Sequence, residues 1–183
     1  MAGSVKVTGK ELMKRLMEGE RDFTRIILAG EPLVPEEIAE LNRYLKSVDL
    51  SREPVILDLS DLSRATISEV YAPHTRAKGI KAVNAQFSGA TLTYADLTPY
   101  VHINSTQTRS DLSRAKFDYT RIDYGRISGA RVAGTRFMFA NLWDAEMEDM
   151  VGLEKALYLD TAIMRFRQRE RINAYLQSRL QPR

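Results

Sequence analysis

From Ser110 to Asp149 the chain keeps a strict period of five. Read in fives it is SDLSR AKFDY TRIDY GRISG ARVAG TRFMF ANLWD AEMED. The third residue of every five is apolar: Leu112, Phe117, Ile122, Ile127, Val132, Phe137, Leu142, Met147. The first is small: Ser110, Ala115, Thr120, Gly125, Ala130, Thr135, Ala140, Ala145. Helices repeat near 3.6 residues and strands at 2, so neither carries this pattern. A five-residue period held over forty residues requires a coil that turns a corner every five residues. A repeat of this kind constrains the fold before any local propensity does.

The segments TYADL (Thr93–Leu97), SDLSR (110–114) and FANLW (Phe139–Trp143) match the motif A(D/N)LXX, and the chain resembles the pentapeptide-repeat family on those residues. The resemblance implies a mainly β fold: a right-handed quadrilateral β-helix with four pentapeptides to a coil. Between Leu57 and Leu157 the frame needs no insertion. At a strand spacing of about 4.8 Å its about five coils make a rod about 25 Å long.

Two stretches fit the frame badly. From Val70 to Lys81 the inward positions hold Ala72, Ala77 and Ala82, while Val70 and Ile80 stand at small positions. Either large and small have traded places, or the coil bulges near Pro73 and Gly79. From Pro99 to Thr108 the frame would bury His102 and Gln107. An unpaired buried imidazole or amide costs about 1–3 kcal/mol, so a local distortion, with Val101 and Ile103 turned in, is the expectation. Stacking by twenties puts Leu97, Phe117, Phe137 and Leu157 in one column, and the inward frame runs on through Gly152.

An open coil exposes unpaired backbone at both ends, and the flanks read as covers. Residues 1–54 are expected to form a helical N-terminal cap with a possible first partial coil, 55–159 the repeat rod, and 160–183 a basic amphipathic helix. Residues 1–7 read as disordered. Thr8 and Glu11 make a capping box for a short helix carrying Leu12, Met13, Leu16 and Met17. Arg21–Leu28 spells one or two opening pentapeptides. Pro35-Glu36-Glu37 starts a second helix, running to Lys46 and either inserted in the first coil or laid across its end. At the other end Asp160 or Thr161 would cap a helix of about twenty residues, judged from its uninterrupted apolar periodicity. Its apolar face carries Ile163, Phe166, Ile172, Tyr175, Leu176 and Leu180. Capping plus homodimerisation is the expected use, as it is in the drug-resistance branch of the family that the chain resembles.

The net charge of +3 is uneven: Arg165–Arg183 sums to +5, everything before it to −2, and the rod from Val55 to Leu157 is neutral. The high pI of about 9.2 therefore belongs to the tail and is no general nucleic-acid footprint. Neither nucleic-acid nor membrane binding is favoured. The chain lacks cysteine, which excludes disulfides and thiolate metal sites and suits a reducing cytoplasm. There is no apolar run of membrane-spanning length and no leader pattern, so the reading is soluble, unexported and cytoplasmic.

No catalytic constellation emerges. The two histidines, His74 and His102, have no metal-ligand spacing, and neither a phosphate-binding glycine loop nor a dinucleotide fingerprint occurs. Gly125, Gly129 and Gly134 read as corner residues where positive φ is easy. The reading is no enzyme, no cofactor and no metal. Surface charge says more. Lys116, Arg121, Arg126, Arg131 and Arg136 fall on successive faces and ring one coil, and the next coil carries Asp144, Glu146, Glu148, Asp149 and Glu154. The ring is either a girdle for an acidic partner or half of many weak surface pairs. Tyr94, Tyr119, Tyr124, Phe139 and Trp143 lie outside the repeat core by frame, a composition found at interface hot spots. The function expected is a non-catalytic protein-interaction scaffold of unknown partner. The alternative that the resemblance implies is a DNA-mimicking protein that binds DNA gyrase, of the quinolone-resistance type. Its hallmark, an acidic rod, is missing here.

Overall fold

The computed structural model describes residues 4–104 and 106–180. In chain order it contains β1 (Val5–Val7), α1 (Gly9–Met17), β2 (Ile26–Leu28), α2 (Pro35–Ser47), β3 (Tyr100–Val101), β4 (Gln107–Thr108) and α3 (Phe166–Leu180). Between α2 and α3 the chain winds as a coil whose rungs pair in parallel with those of the next turn.

The rungs form four ladders, one on each side of the rod. The first face runs Asp22, Ile56, Arg76, Asp96, Arg126, Glu146, and the second Ile27, Asp61, Lys81, Asp111, Arg131, Val151. The third runs Thr66, Gln86, Lys116, Arg136, Leu157, and the fourth Tyr71, Thr91, Arg121, Asn141, Ile163. The residue after each rung points inward. Its N–H donates to the rung carbonyl of the next coil, as Phe117 does to Arg136 (2.9 Å), and Arg136 N–H donates back to the Ala115 carbonyl (2.9 Å). Each face is then left by a corner in the left-handed region, occupied by side chains as large as Tyr119 (φ 57°) and Phe139 (φ 52°). Single residues tolerate this region at about 1–2 kcal/mol, and the ladder bonds on either side hold them there. Gly129 and Gly134 are such corners (φ 72° and 71°). Gly125, expected among them, is not. It fills a small inward position, where an added Cβ would lie 2.8 Å from the Ile122 carbonyl.

The frame does hide an insertion. From Ile56↔Arg76 to Arg76↔Asp96 the rungs are twenty residues apart, but Lys81 pairs with Asp111 and Asp96 with Arg126, thirty apart. The ten extra residues leave the coil as a hairpin in which β3 and β4 pair antiparallel. Because ten is two fives, the period survives while the stacking order changes. Leu97 lies over Ile127, not Phe117, and the aromatic column is Phe87, Phe117 and Phe137, with centroid spacings of 4.8 and 5.8 Å. His102 and Gln107 stay out of the core, and Val101 and Ile103 do not turn in: both are exposed. From Val70 to Lys81 there is no bulge. Rungs continue at Tyr71 and Arg76, and Val70 and Ile80 are buried beside Ala77 and Ala82, so large and small residues have traded places.

At the N-terminal end the expectation of disorder over residues 1–7 fails at Val5–Val7, which pairs in parallel with β2, Val7 against Leu28, and buries Val7; residues 1–3 lie outside the described residues. Thr8 Oγ1 accepts from Glu11 N–H (3.1 Å) and starts α1. Arg21–Leu28 supplies two rungs, Asp22 and Ile27. The chain then departs into α2, whose first turn is closed by Glu37 accepting from Val34 N–H (3.0 Å). Helix α2 is inserted where the first coil would have made its third and fourth faces. Its Asn42 stands in for the missing fourth-face rung, accepting from Tyr71 N–H (2.7 Å) and donating to the Glu69 carbonyl (2.9 Å). Val7, Met13, Leu16, Phe23, Leu41 and Leu45 form the core of this end.

At the C-terminal end the last two corners lengthen. Gly152 (φ 80°) and Tyr158 (φ 59°) open 3-10 turns over Leu153–Lys155 and Leu159–Thr161, so rungs fall at Val151, Leu157 and Ile163. Leu153 and Leu159 are therefore the buried residues, and Leu157 is exposed. The frame had placed Gly152 and Leu157 inside; one extra residue per corner shifts the register. Asp160 and Thr161 belong to the last corner and do not cap a helix. Helix α3 begins at Phe166 and has 15 residues. It closes the rod with Ile172, which is buried, and with Tyr175 and Leu176. Gln168 Nε2 donates to the Leu142 and Ala145 carbonyls (3.0 and 3.1 Å), and Arg169 Nη1 to that of Asp160 (2.9 Å). Phe166, expected on the packed face, is exposed, and the Leu180 side chain lies outside the described residues.

Candidate partner-binding surface

The fourth face is bordered by two corners, and both carry rings. On one side Tyr119 and Phe139 pack at 5.5 Å. On the other His74, Tyr94 and Tyr124 stack at 4.9 and 5.1 Å, with interplanar angles of 7° and 16°. A coil that repeats every rung places equivalent corner residues one above another, so aromatic residues at those positions become a ladder of rings. Trp143 lies on the face itself, one residue past Leu142, with the Arg165 guanidinium over its ring at 5.3 Å. Relative exposure is 51% for Tyr94, 59% for Tyr119, 43% for Tyr124, 49% for Phe139 and 39% for Trp143. Helix α3 leaves these rings open. Arg121 sits between the two stacks, 3.4 Å from the buried Asp123 carboxylate. Rigid, half-exposed rings around an arginine present apolar area at low entropic cost.

The basic ring exists on successive rungs: Lys116 on the third face, Arg121 on the fourth, Arg126 on the first and Arg131 on the second, with Arg136 one coil beyond Lys116 on the third. Most of its charge is met within the rod. Arg126 bridges Asp96 (3.3 Å) below and Glu146 (2.9 Å) above. Arg131 pairs with Asp111 (3.5 Å) and Arg136 with Asp118 (2.9 Å). Of the acidic group, Asp144 pairs with Arg165 (2.6 Å), Glu148 N–H donates to Ser128 Oγ (3.1 Å), and Asp149 is an exposed corner (φ 53°). The Glu146 hydrogen bond and the Asp96 charge raise the Arg126 guanidinium further. Asp96 feels burial against its charge, but hydrogen bonds from Thr98 and the Lys78 ammonium outweigh it and hold its carboxyl below the ordinary value.

The histidines do different work. His74 is a member of the ring stack. His102 Nε2 lies 2.8 Å from Thr108 Oγ1 inside the hairpin. Among the described residues no group of three His, Asp or Glu is placed to hold a metal ion, and no helix is long and apolar enough to cross a membrane. The sequence placed Tyr94, Tyr119, Tyr124, Phe139 and Trp143 outside the core; of their contacts only the stacking of Tyr94 on Tyr124, thirty residues apart, depends on the hairpin, since Tyr119 and Phe139 are twenty apart.

No protein-family model matches the chain, and no curated protein sequence matches it. Solved structures do. A pentapeptide repeat protein from the cyanobacterium Cyanothece aligns with a TM-score of 0.47 at 14% identity, over 61% of this chain and 65% of that one. The chain thus spans just under two thirds of that relative's length. A pentapeptide repeat protein from the Arabidopsis thaliana thylakoid lumen aligns with a TM-score of 0.42 at 21% identity, over 64% and 70% of the two chains. QnrB1, a plasmid-mediated fluoroquinolone resistance protein, aligns with a TM-score of 0.22 at 14% identity, over 88% and 83%.

Proposed function

We propose, from the premise that the chain is a pentapeptide-repeat protein, that it is a non-catalytic protein-interaction scaffold: a right-handed rod of about five coils, counted at four five-residue rungs to a turn, with residues 1–54 and 160–183 as its end covers. The partner surface is the fourth face. The observation that carries this reading is the pair of aromatic stacks, Tyr119–Phe139 and His74–Tyr94–Tyr124, flanking Arg121 and Trp143. Lys116 and Arg136 border that surface, whereas Arg126, Arg131, Glu146, Glu148 and Asp149 form a polar rim in which Arg126 is paired with Glu146 and Arg131 with Asp111. Of the apolar groups expected on the C-terminal helix, Phe166 and Ile163 are exposed and open to a homodimer, whereas Ile172, Tyr175 and Leu176 pack on the rod. A monomer mass by light scattering would end the dimer proposal.

The test is affinity capture with three baits: the wild type, a Tyr119→Ser/Tyr124→Ser/Phe139→Ser variant and an Arg131→Ala variant. A partner kept by Arg131→Ala and lost by the aromatic variant supports the fourth face. The reverse pattern moves the site to the charged rim. The gyrase alternative has less behind it, since Asp144 and Glu146 are already paired with Arg165 and Arg126. Supercoiling inhibition that weakens with salt would restore it.

A further inference from the structure

The N-terminal coil is one rung short. In the turn from Val55 to Thr75 three faces have their outer edge paired. Ile56 N–H donates to the Arg21 carbonyl (2.7 Å), Asp61 N–H to that of Ile26 (2.8 Å), and Tyr71 N–H to Asn42 Oδ1 (2.7 Å). The third face has no such partner. The Thr66 N–H meets no acceptor and the Thr66 and Ser68 carbonyls meet no donor among the described residues. Behind this edge lies a cavity of about 690 Å³, bounded by α1 and α2 on one side and reaching past Ile67 into the rod. Ala72 and Ala77 line it, at inward positions that other coils fill with Leu, Ile or Phe. Ser63, at the same opening, has a buried hydroxyl with no partner among the described residues.

We infer that this opening is a binding slot for an extended peptide segment of a partner protein, which adds the missing third-face rung. The surroundings specify the occupant. The rod pairs its own third face by a fixed rule: Phe87 N–H donates to the Lys116 carbonyl (2.8 Å), Gly89 N–H to that of Asp118 (2.9 Å), and Lys116 N–H to that of Ala85 (2.9 Å). Transposed by one coil, the incoming segment runs parallel to Thr66–Ser68. It donates two N–H groups to the Thr66 and Ser68 carbonyls and accepts one bond from Thr66 N–H. A small residue and, two positions later, a large apolar one face the cavity. Main-chain bonds at an open edge supply affinity and the pocket supplies selectivity. A lipid chain would fill the cavity but leave the three edge groups unmet.

The probe is a blocked octapeptide, NAQFSGAT, copied from Asn84–Thr91 and titrated into the isotope-labelled full chain by NMR. Saturable shifts centred on Thr66 and Ile67 are expected, with slowed exchange of the Thr66 amide. A peptide N-methylated at its phenylalanine should bind at least tenfold more weakly, and so should one with Asp in place of Phe. Absence of saturable binding overturns the proposal. So does equal binding of the N-methyl peptide, or saturation by decanoate while the Thr66 amide still exchanges freely, which would make the cavity a lipid site. A mass that rises with protein concentration and is reversed by the peptide would assign the slot to another copy of the chain and also overturn it.

Discussion

The two halves of the rod share one period and pack differently. In the C-terminal half Leu112, Phe117, Ile122, Ile127, Val132, Phe137 and Leu142 are all buried to 1% or less, and the rings of Phe117 and Phe137 stack. In the N-terminal half three inward positions hold alanine, at Ala72, Ala77 and Ala82, Leu57 and Ile67 are only partly buried, and a cavity of about 690 Å³ remains. A five-residue period therefore fixes where the backbone turns, and the volume of the inward residue fixes whether the turn is filled. The open half is also the half whose outer edge lacks a rung.

The largest expected effect comes from emptying the tight half. Phe137→Ala should cost about 4 kcal/mol, as for a fully buried ring, and Ile67→Ala about 1 kcal/mol because its side chain already borders free space. Urea denaturation of both variants checks this; equal losses would break the comparison. Gly79 sharpens it from another side. It has φ +63°, and an added Cβ would lie 2.8 Å from Tyr100 Cβ and 3.0 Å from the Thr108 carbonyl at the base of the hairpin. Gly79→Ala should cost about 2 kcal/mol, more than Gly134→Ala, whose nearest neighbour is the flexible Arg114 side chain at 3.3 Å.

Adding volume should act with opposite sign in the two halves. Ala77→Val, at the cavity wall, should stabilise by up to about 1 kcal/mol, whereas Val132→Phe should destabilise by about 2 kcal/mol through overpacking. Thermal midpoints moving in the same direction would contradict the difference in filling. The smallest effect concerns Asp96, where the halves meet. Its folded carboxyl titrates below the ordinary value of 3.8, so its contribution is present above that value and is lost as pH falls through the folded one. Asp96→Asn should cost about 1 kcal/mol near pH 7. The gap to the wild type should close towards pH 3 in urea titrations. A gap that widens on acidification would reverse the assigned sign.

The four-sided coil was legible because apolar and small residues recur at fixed positions from Ser110 to Asp149. The exchange of large and small at Val70, Ala72, Ala77 and Ile80 was legible as one of two alternatives. The hairpin was not, since ten residues leave a five-residue frame intact and only the rung pairing reveals that Asp96 meets Arg126. The two lengthened corners escaped for the opposite reason: Leu153 and Leu159 lie one and two residues past the positions that the frame assigns, and no local residue type announces a 3-10 turn. Of the surface, the ring of Lys116, Arg121, Arg126, Arg131 and Arg136 could be read directly, and so could surface pairing with neighbouring coils as one of two alternatives, but the pairing of Arg126 with Asp96, thirty residues away, depends on the hairpin. Asn42 replacing a strand could not be foreseen from a helix pattern, because a side-chain amide leaves no periodic trace.

The most direct measurement is residue-resolved amide hydrogen exchange on the full chain in the absence of any peptide. The Thr66 amide is expected to exchange close to its intrinsic rate, while the amides of Phe117, Ile122 and Phe137 are the slowest and open only with global unfolding. Strong protection at Thr66, or uniform protection along both halves, would contradict an open N-terminal turn and a filled C-terminal one.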